Sequence, residues 1–216
     1  MIVAIDGPAG AGKSSAAREL ARRLGFRFLD TGAMYRAVAL AAVRRNLDWN
    51  DPAALAALAR TLSLEVTNDR VWLDGEDVTR AIRTLAITSV TFYAANNPGV
   101  REHLVELQRA AAGMDNIVTE GRDQGTVVFP NAGCKIFLTA SPIERAKRRL
   151  RDLEKRGEGS TLEDVLAQQE LRDERDASRA VGPLVRADDA IEVCTDGLEP
   201  HQVVDRLEAL VRERFT

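Results

Sequence analysis

Cysteine and histidine are scarce in this 216-residue chain, two of each. Two thiols cannot build a disulfide scaffold, and Cys134 and Cys194 both lie in apolar, strand-like runs. They are expected as reduced core residues of a cytosolic protein. His103 and His201 fall in helical stretches without partners that suggest a triad or a metal site, so no chemistry is assigned to them. A surplus of positive charge is also missing. The net charge is −3 and the isoelectric point about 5.6, which argues against a duplex DNA binder with its basic face. No apolar run approaches the ~20 residues of a membrane span. Ile2–Ile5 runs straight into Asp6, too short and too acidic for a signal peptide. Repeats, low-complexity tracts and long linkers are absent as well. What remains is 45% hydrophobic and 29% charged, the composition of one globular domain.

Short apolar runs alternate with helical periodicity, the pattern of a three-layer α/β/α domain around a five-stranded parallel sheet. The predicted strands are Ile2–Ile5, Phe26–Leu29, Ile117–Thr119, Lys135–Leu138 and Ala190–Cys194. A helix is predicted from about Lys13 to Leu24, with Ala16, Ala17, Leu20, Ala21 and Leu24 on one face and Gly25 ending it. A second begins near Thr31 and turns Met34, Val38, Leu40 and Ala41 inward. Ser141-Pro142-Ile143-Glu144 reads as a capping box with proline at the first helical position, and Ser160-Thr161-Leu162-Glu163 repeats the signal. Between the caps, the charged residues 148–160, with Gly157 and Gly159, read as a mobile segment. At about 62–83 the alternation breaks. Leu64–Val66, Val71–Leu73 and Asp77–Thr79 are separated by hairpin-forming Asn-Asp and Asp-Gly pairs, which predicts a small antiparallel insert.

Gly7-Pro8-Ala9-Gly10-Ala11-Gly12-Lys13-Ser14 fits G-x-x-x-x-G-K-[ST] at every fixed position, between a predicted strand and a predicted helix. Glycines let backbone N–H groups turn toward phosphate oxygens at a helix N-terminus. Lys13 would reach the β and γ phosphates of a nucleoside triphosphate, and the Ser14 hydroxyl would ligate Mg²⁺. The motif leaves a GTPase, a motor, a helicase and a small-molecule kinase open. No N-K-x-D guanine-reading signature occurs, and motors or helicases usually need a longer chain. A small kinase needs a second site for an anionic acceptor.

Three clusters could build that site. Thr31, Tyr35 and Arg36 follow the second strand, at the sheet edge where α/β proteins bind ligands. Glu120, Arg122 and Asp123 follow the third: Glu120 could hold Mg²⁺ directly or through water, Arg122 could grip a phosphate, and Asp123 could accept from an exocyclic amine. Arg172, Arg175, Asp176 and Arg179 span about 100° of one predicted helix face. Alone, those arginines read as a solvated face; beside the other two clusters they read as a phosphate- and ribose-binding set. The basic run 144–151 lacks interleaved aromatics and reads as a lid over the triphosphate rather than a nucleic-acid contact.

Over nearly its whole length the sequence resembles the bacterial cytidylate kinases, through IDGPAGAGKSS, FLDTGAMYR, EGRDQGTVVFP, KIFLTAS, ERAKRR and RDERDASRAVGPL in order. The resemblance implies transfer of a phosphoryl group from Mg²⁺-ATP to CMP or dCMP, with ATP held by Gly7, Pro8, Ala9, Gly10, Ala11, Gly12, Lys13, Ser14 and Ser15. It implies that Arg36 and Arg122 hold the acceptor phosphate, that Thr31, Arg101, Asp123 and Arg179 read cytosine, and that Arg172 and Asp176 meet the ribose. Arg175 would face the transferring phosphoryl group. Tyr35 belongs to the same acceptor segment. The insert at about 62–83 would be the extra piece of the monophosphate-binding region, and 148–160 the lid. Thr31 stands where some relatives have serine, and Glu120 where some have aspartate. A cytosolic monomer acting on free nucleotides, without nucleic acid or membrane partners, is expected. Rival readings are a kinase for UMP or shikimate and a nucleotide-binding module without turnover.

Overall fold

The computed structural model describes residues 1–155 and 157–214. Five parallel strands form the central sheet: β1 (Ile2–Asp6), β2 (Arg27–Asp30), β6 (Ile117–Gly121), β7 (Cys134–Thr139) and β8 (Ile191–Cys194), in the order β2-β6-β1-β7-β8. β1 is central and its Val3, Ala4 and Ile5 are fully buried. That is why it reads as an unbroken apolar run, the mark of a parallel strand covered on both faces.

On one face lie α1 (Lys13–Leu24) and α8 (Pro200–Glu213), closing a core of Ala17, Leu20, Val118, Ile136, Leu138, Val204 and Leu207. The other face carries α2 (Thr31–Arg44), α3 (Pro52–Thr61), α4 (Leu85–Asn96) and α5 (Pro98–Ala112), packed around Leu29, Met34, Val38, Leu55, Ile82 and Leu104. The predicted α1 stops at its predicted cap: Gly25 has φ +69°, and its N–H bonds the Ala21 and Arg22 carbonyls. α2 starts on Asp30, whose carboxylate accepts from the Ala33 N–H at 2.8 Å.

The insert forms a three-stranded antiparallel sheet of β3 (Leu64–Val66), β4 (Val71–Leu73) and β5 (Glu76–Asp77). The last strand falls earlier than Asp77–Thr79, because the Thr79 hydroxyl accepts from the Val71 N–H at 3.0 Å and takes a ladder position from the backbone. The hairpin tip covers the open edge of the main sheet. Asn68 accepts from the Phe28 N–H at 2.9 Å, and Arg18 lies over the Phe28 ring while pairing with Asp69.

Two expectations need correction, the cap of α7 and the burial of Cys194. The helix predicted from the Ser141 cap, α6 (Pro142–Lys155), runs into the segment 148–160, and its Ala146 and Leu153 pack on Val165 of α7 (Leu162–Ala177). The charges concealed that short apolar stripe; residue 156 of the segment lies outside the described residues. The cap of α7 is Thr161, not Ser160, its hydroxyl accepting from the Asp164 N–H at 3.1 Å. Cys194 is exposed while Cys134 is buried, since β8 is an edge strand whose alternate side chains face outward. Both are free thiols.

Candidate active site

β1, β2 and β6 end side by side, so the loops leaving their carboxyl ends converge. The first is the phosphate loop. Gly7, Gly10 and Gly12 all have positive φ, and a Cβ at Gly7 would run into the Leu138 carbonyl. α1 begins at Lys13 with Gly12 at its N-cap, so its N-terminal N–H groups face the loop. Lys13 is buried, its Nζ donating to the Pro8 carbonyl at 2.7 Å. Burial, and then the Arg122 guanidinium, pull its pKa down to about 7. The Ser14 hydroxyl donates to Glu120 Oε1 at 2.8 Å across the two loops. This hydroxyl–carboxylate pair at the phosphate loop is a hard oxygen donor set that fits Mg²⁺ completed by water and phosphate oxygens. Among the described residues no cluster of three or more His, Cys, Asp or Glu could hold a metal by itself.

The second loop is the β2–α2 junction. Thr31 is buried and donates to the Glu120 carbonyl at 2.6 Å. Arg36 pairs with Asp30 at 3.2 Å, and its Nε is buried without a partner. Asp30 also binds Arg83 from the end of the insert at 3.0 Å. The third loop leaves β6. Gly121 is required where it stands, since a Cβ would lie 2.8 Å from Gln124 Cγ and 3.1 Å from Thr31 Oγ1. Arg122 Nε donates to Asp176 Oδ2 at 2.7 Å. Burial lowers the Arg122 pKa, but the carboxylates around it, Asp176 first and then Glu120 and Asp6, together make the net shift upward. Asp123 is buried in a direct pair with Arg101 of α5, and burial raises its pKa against the pull of Arg101 and Arg179. Arg101 extends over the Tyr35 ring, 5.7 Å from its centroid, and leaves its own Nε buried and unpartnered. Tyr35 is buried, which pushes its hydroxyl pKa up.

α7 brings the rest. Burial of Asp176 works against ionisation, but Arg122 and Arg179 bring its pKa below the usual carboxylate value. It pairs directly with Arg179. Arg179 lies past the helix end, beyond the Ser178 cap, rather than on the helical face predicted for it. The chain bends back there, so its guanidinium still reaches the cluster and donates to Asn96 of α4 at 2.9 Å. Arg172 is exposed as a side chain, yet desolvation of its head and the charges of Arg122, Arg36 and Arg149 hold its pKa near 10. Arg175 stands apart, over the Phe92 ring of α4 at 4.8 Å.

Thus Thr31, Tyr35, Arg36, Arg101, Glu120, Arg122, Asp123, Arg172, Asp176 and Arg179 form one cluster beside the phosphate loop, and Arg175 lies at its α4 side. Sequence reading missed Phe92 and Asn96, which hold arginines, and gave Asp30 no role beyond its segment; Arg145, read within the mobile basic run 144–151, is instead fixed in place. Arg145 is buried and donates to the Ala9 carbonyl of the phosphate loop at 3.0 Å while pairing with Asp173 of α7 at 2.6 Å. Each of these contacts joins residues far apart in the chain, except Asp30 to Arg36, where the acid could have been found at the N-cap.

A sequence profile described as cytidylate kinase matches residues 3–213. The cytidylate kinase of Rhodopirellula baltica is 51% identical over 213 residues, covering 99% of this chain and 93% of that protein. That of Pelotomaculum thermopropionicum is 49% identical, covering 97% and 95%. In fold alone, the shikimate kinase of Bacteroides thetaiotaomicron superposes with a TM-score of 0.51 at 17% identity, over 98% of each chain. A profile match over nearly the whole chain, with relatives identical at about half of their positions, makes the chain a member of the cytidylate kinase family.

Proposed function

We propose that this protein transfers the γ-phosphoryl group of Mg²⁺-ATP to the 5′-phosphate of CMP or dCMP, giving ADP and CDP or dCDP. The observation that carries the reading is the hydrogen bond from the Ser14 hydroxyl to Glu120 Oε1 at 2.8 Å, which joins the phosphate loop to the loop that bears Arg122; burial, and then the Arg122 guanidinium, lower the Lys13 pKa there. Two cations held together in a desolvated cleft repel one another. Their arrangement becomes favourable when the phosphates of two nucleotides meet there.

In this reading Gly7 through Ser15 hold ATP, with Lys13 on the β and γ phosphates. Ser14 would hold Mg²⁺, with Glu120 acting through water; the ion neutralises charge on the polyphosphate when bound. Arg36 and Arg122 clamp the acceptor phosphate. Thr31, Arg101, Asp123 and Arg179 present an acceptor and several donors to the base edge, with Tyr35 closing the pocket behind Arg101. Arg172 and Asp176 face the sugar. The acceptor is already an anion, so no strong general base is needed. Rate comes from holding two polyanions in line and stabilising charge as the phosphoryl group moves. Arg175 would leave Phe92 to meet that group, and the segment 148–160, which takes in the end of α6, would close as a lid. The enzyme is read as a cytosolic monomer, consistent with two unpaired thiols; among the described residues no helix is long and apolar enough to cross a membrane.

The test is the initial rate of ADP release with Mg²⁺-ATP and CMP, dCMP, UMP, AMP or shikimate, one at a time. Strong turnover with CMP and dCMP alone is expected. Equal turnover with UMP would remove the base-reading roles of Asp123 and Arg179. No turnover with any acceptor, in protein that binds ATP, would overturn the kinase reading.

A further inference from the structure

Asp6 is the last residue of β1 and directly precedes Gly7, so it is covalently part of the phosphate loop's entry. Its side chain is buried. One carboxylate oxygen accepts from the Gln124 N–H at 2.9 Å and the other from the Gly125 N–H at 2.7 Å. These two amides open the wide helical turn Gln124–Val128 that follows Arg122 and Asp123. A single carboxylate therefore spans from the loop that would hold the donor phosphates to the loop that would hold the acceptor.

The fit is close. A Cβ on Gly125 would lie 3.4 Å from Asp6 Oδ2 and 3.2 Å from Lys135 Cδ. Burial pushes the Asp6 pKa up to about 6, so its ionised form is held there against a desolvation cost that the two amides offset in part. The other ties on this turn run elsewhere. Thr119 donates to Gln124 Oε1 at 2.8 Å, and Gln124 Nε2 donates to Gln108 Oε1 at 3.2 Å. They fasten the turn to β6 and α5, not to the phosphate loop.

We propose that Asp6 is a positioning residue for phosphoryl transfer, setting the register of Arg122 and Asp123 against Lys13; the inference rests on the kinase reading above. The experiment uses the full chain and compares wild type, Asp6→Asn and Gln108→Leu. Asparagine keeps the size but leaves one oxygen to accept, and sets its NH₂ against the second amide. Gln108→Leu loosens the turn from α5 and leaves the Asp6 link whole. For Asp6→Asn, kcat is expected to fall about 10- to 100-fold, as for a small misplacement of reacting groups. KM for CMP should rise several-fold while affinity for a non-hydrolysable ATP analogue, measured directly, changes less than about twofold. Gln108→Leu should lower the melting temperature without that kinetic split.

Wild-type turnover with CMP is measured first. Its absence overturns the kinase reading and the role of Asp6 with it. With wild type active, folded Asp6→Asn of unchanged kcat and KM overturns the positioning role alone. Equal loss of ATP and CMP affinity also overturns it, because Asp6 would then serve the fold of the phosphate loop. Should Asp6→Asn fail to fold, Asp6→Glu keeps the carboxylate but moves it by one methylene from the Gln124 and Gly125 amides and is held to the same split; unchanged kinetics there overturns the proposal.

Discussion

Lys13 shows how a residue's environment prepares its chemistry. An ammonium buried beside Arg122 loses affinity for its proton until an anion arrives, which is the electrostatic setting that favours a polyphosphate. Lys13→Ala is expected to lower kcat by about 10²- to 10³-fold, the scale for losing one preorganised charge-stabilising group, with an unchanged far-ultraviolet circular dichroism spectrum. Asp6 gives a prediction on stability. Its folded-state pKa, about 6, lies above the ordinary 3.8, so the folded protein holds that proton more tightly. The associated stabilisation is full below about pH 4 and is lost as pH rises through 6. Urea unfolding from pH 4 to 7 should show wild type losing stability relative to Asp6→Asn, by at most about 3 kcal/mol. A constant difference across that range would refute the burial argument. The phosphate loop was legible here because its chemistry is contiguous. The ties of Asp6 to Gln124 and of Phe92 to Arg175 were not, since each joins ordinary residues across about 80 or more positions.

Among elements, α6 and α7 differ from the rest. Their shared core is Ala146, Leu153 and Val165 with a fringe of Leu150, Leu162 and Leu166, while the sheet is covered on both faces. Fewer buried apolar contacts mean a smaller local opening energy. Hydrogen exchange should therefore proceed sooner through α6 and α7 than through Ile2–Asp6, and should slow when ATP analogue and CMP are both present. Protection in α6 and α7 equal to that in β1 would argue against a closing lid. The helix caps and the hairpin of the insert could be read locally. That α6 continues to Lys155 could not, because its apolar stripe has meaning only once Val165 lies opposite it.

At the scale of the molecule, three sheet-edge loops and the end of α7 are held so that cations converge and carboxylates keep them apart. Such a cleft is stabilised by what neutralises it. CMP at 100 times its dissociation constant should add about 2.7 kcal/mol to the folded state and raise the melting temperature by about 5–10 °C for a chain of this size. The same concentration of UMP should move it little. Equal shifts with both would mean that the pocket holds the phosphate and ignores the base.

The five parallel strands, the first two helices and the phosphate loop were readable along the chain, because period, cap and motif are local properties. Parallel burial makes a strand apolar throughout, and glycine spacing marks a loop that must turn its amides inward. Which arginine meets which carboxylate was a matter for the folded molecule. A guanidinium chooses its partner by distance in space, and the sheet brings Asp6 to Gly125, Arg122 to Asp176 and Arg101 to Asp123 only after the strands have taken their order.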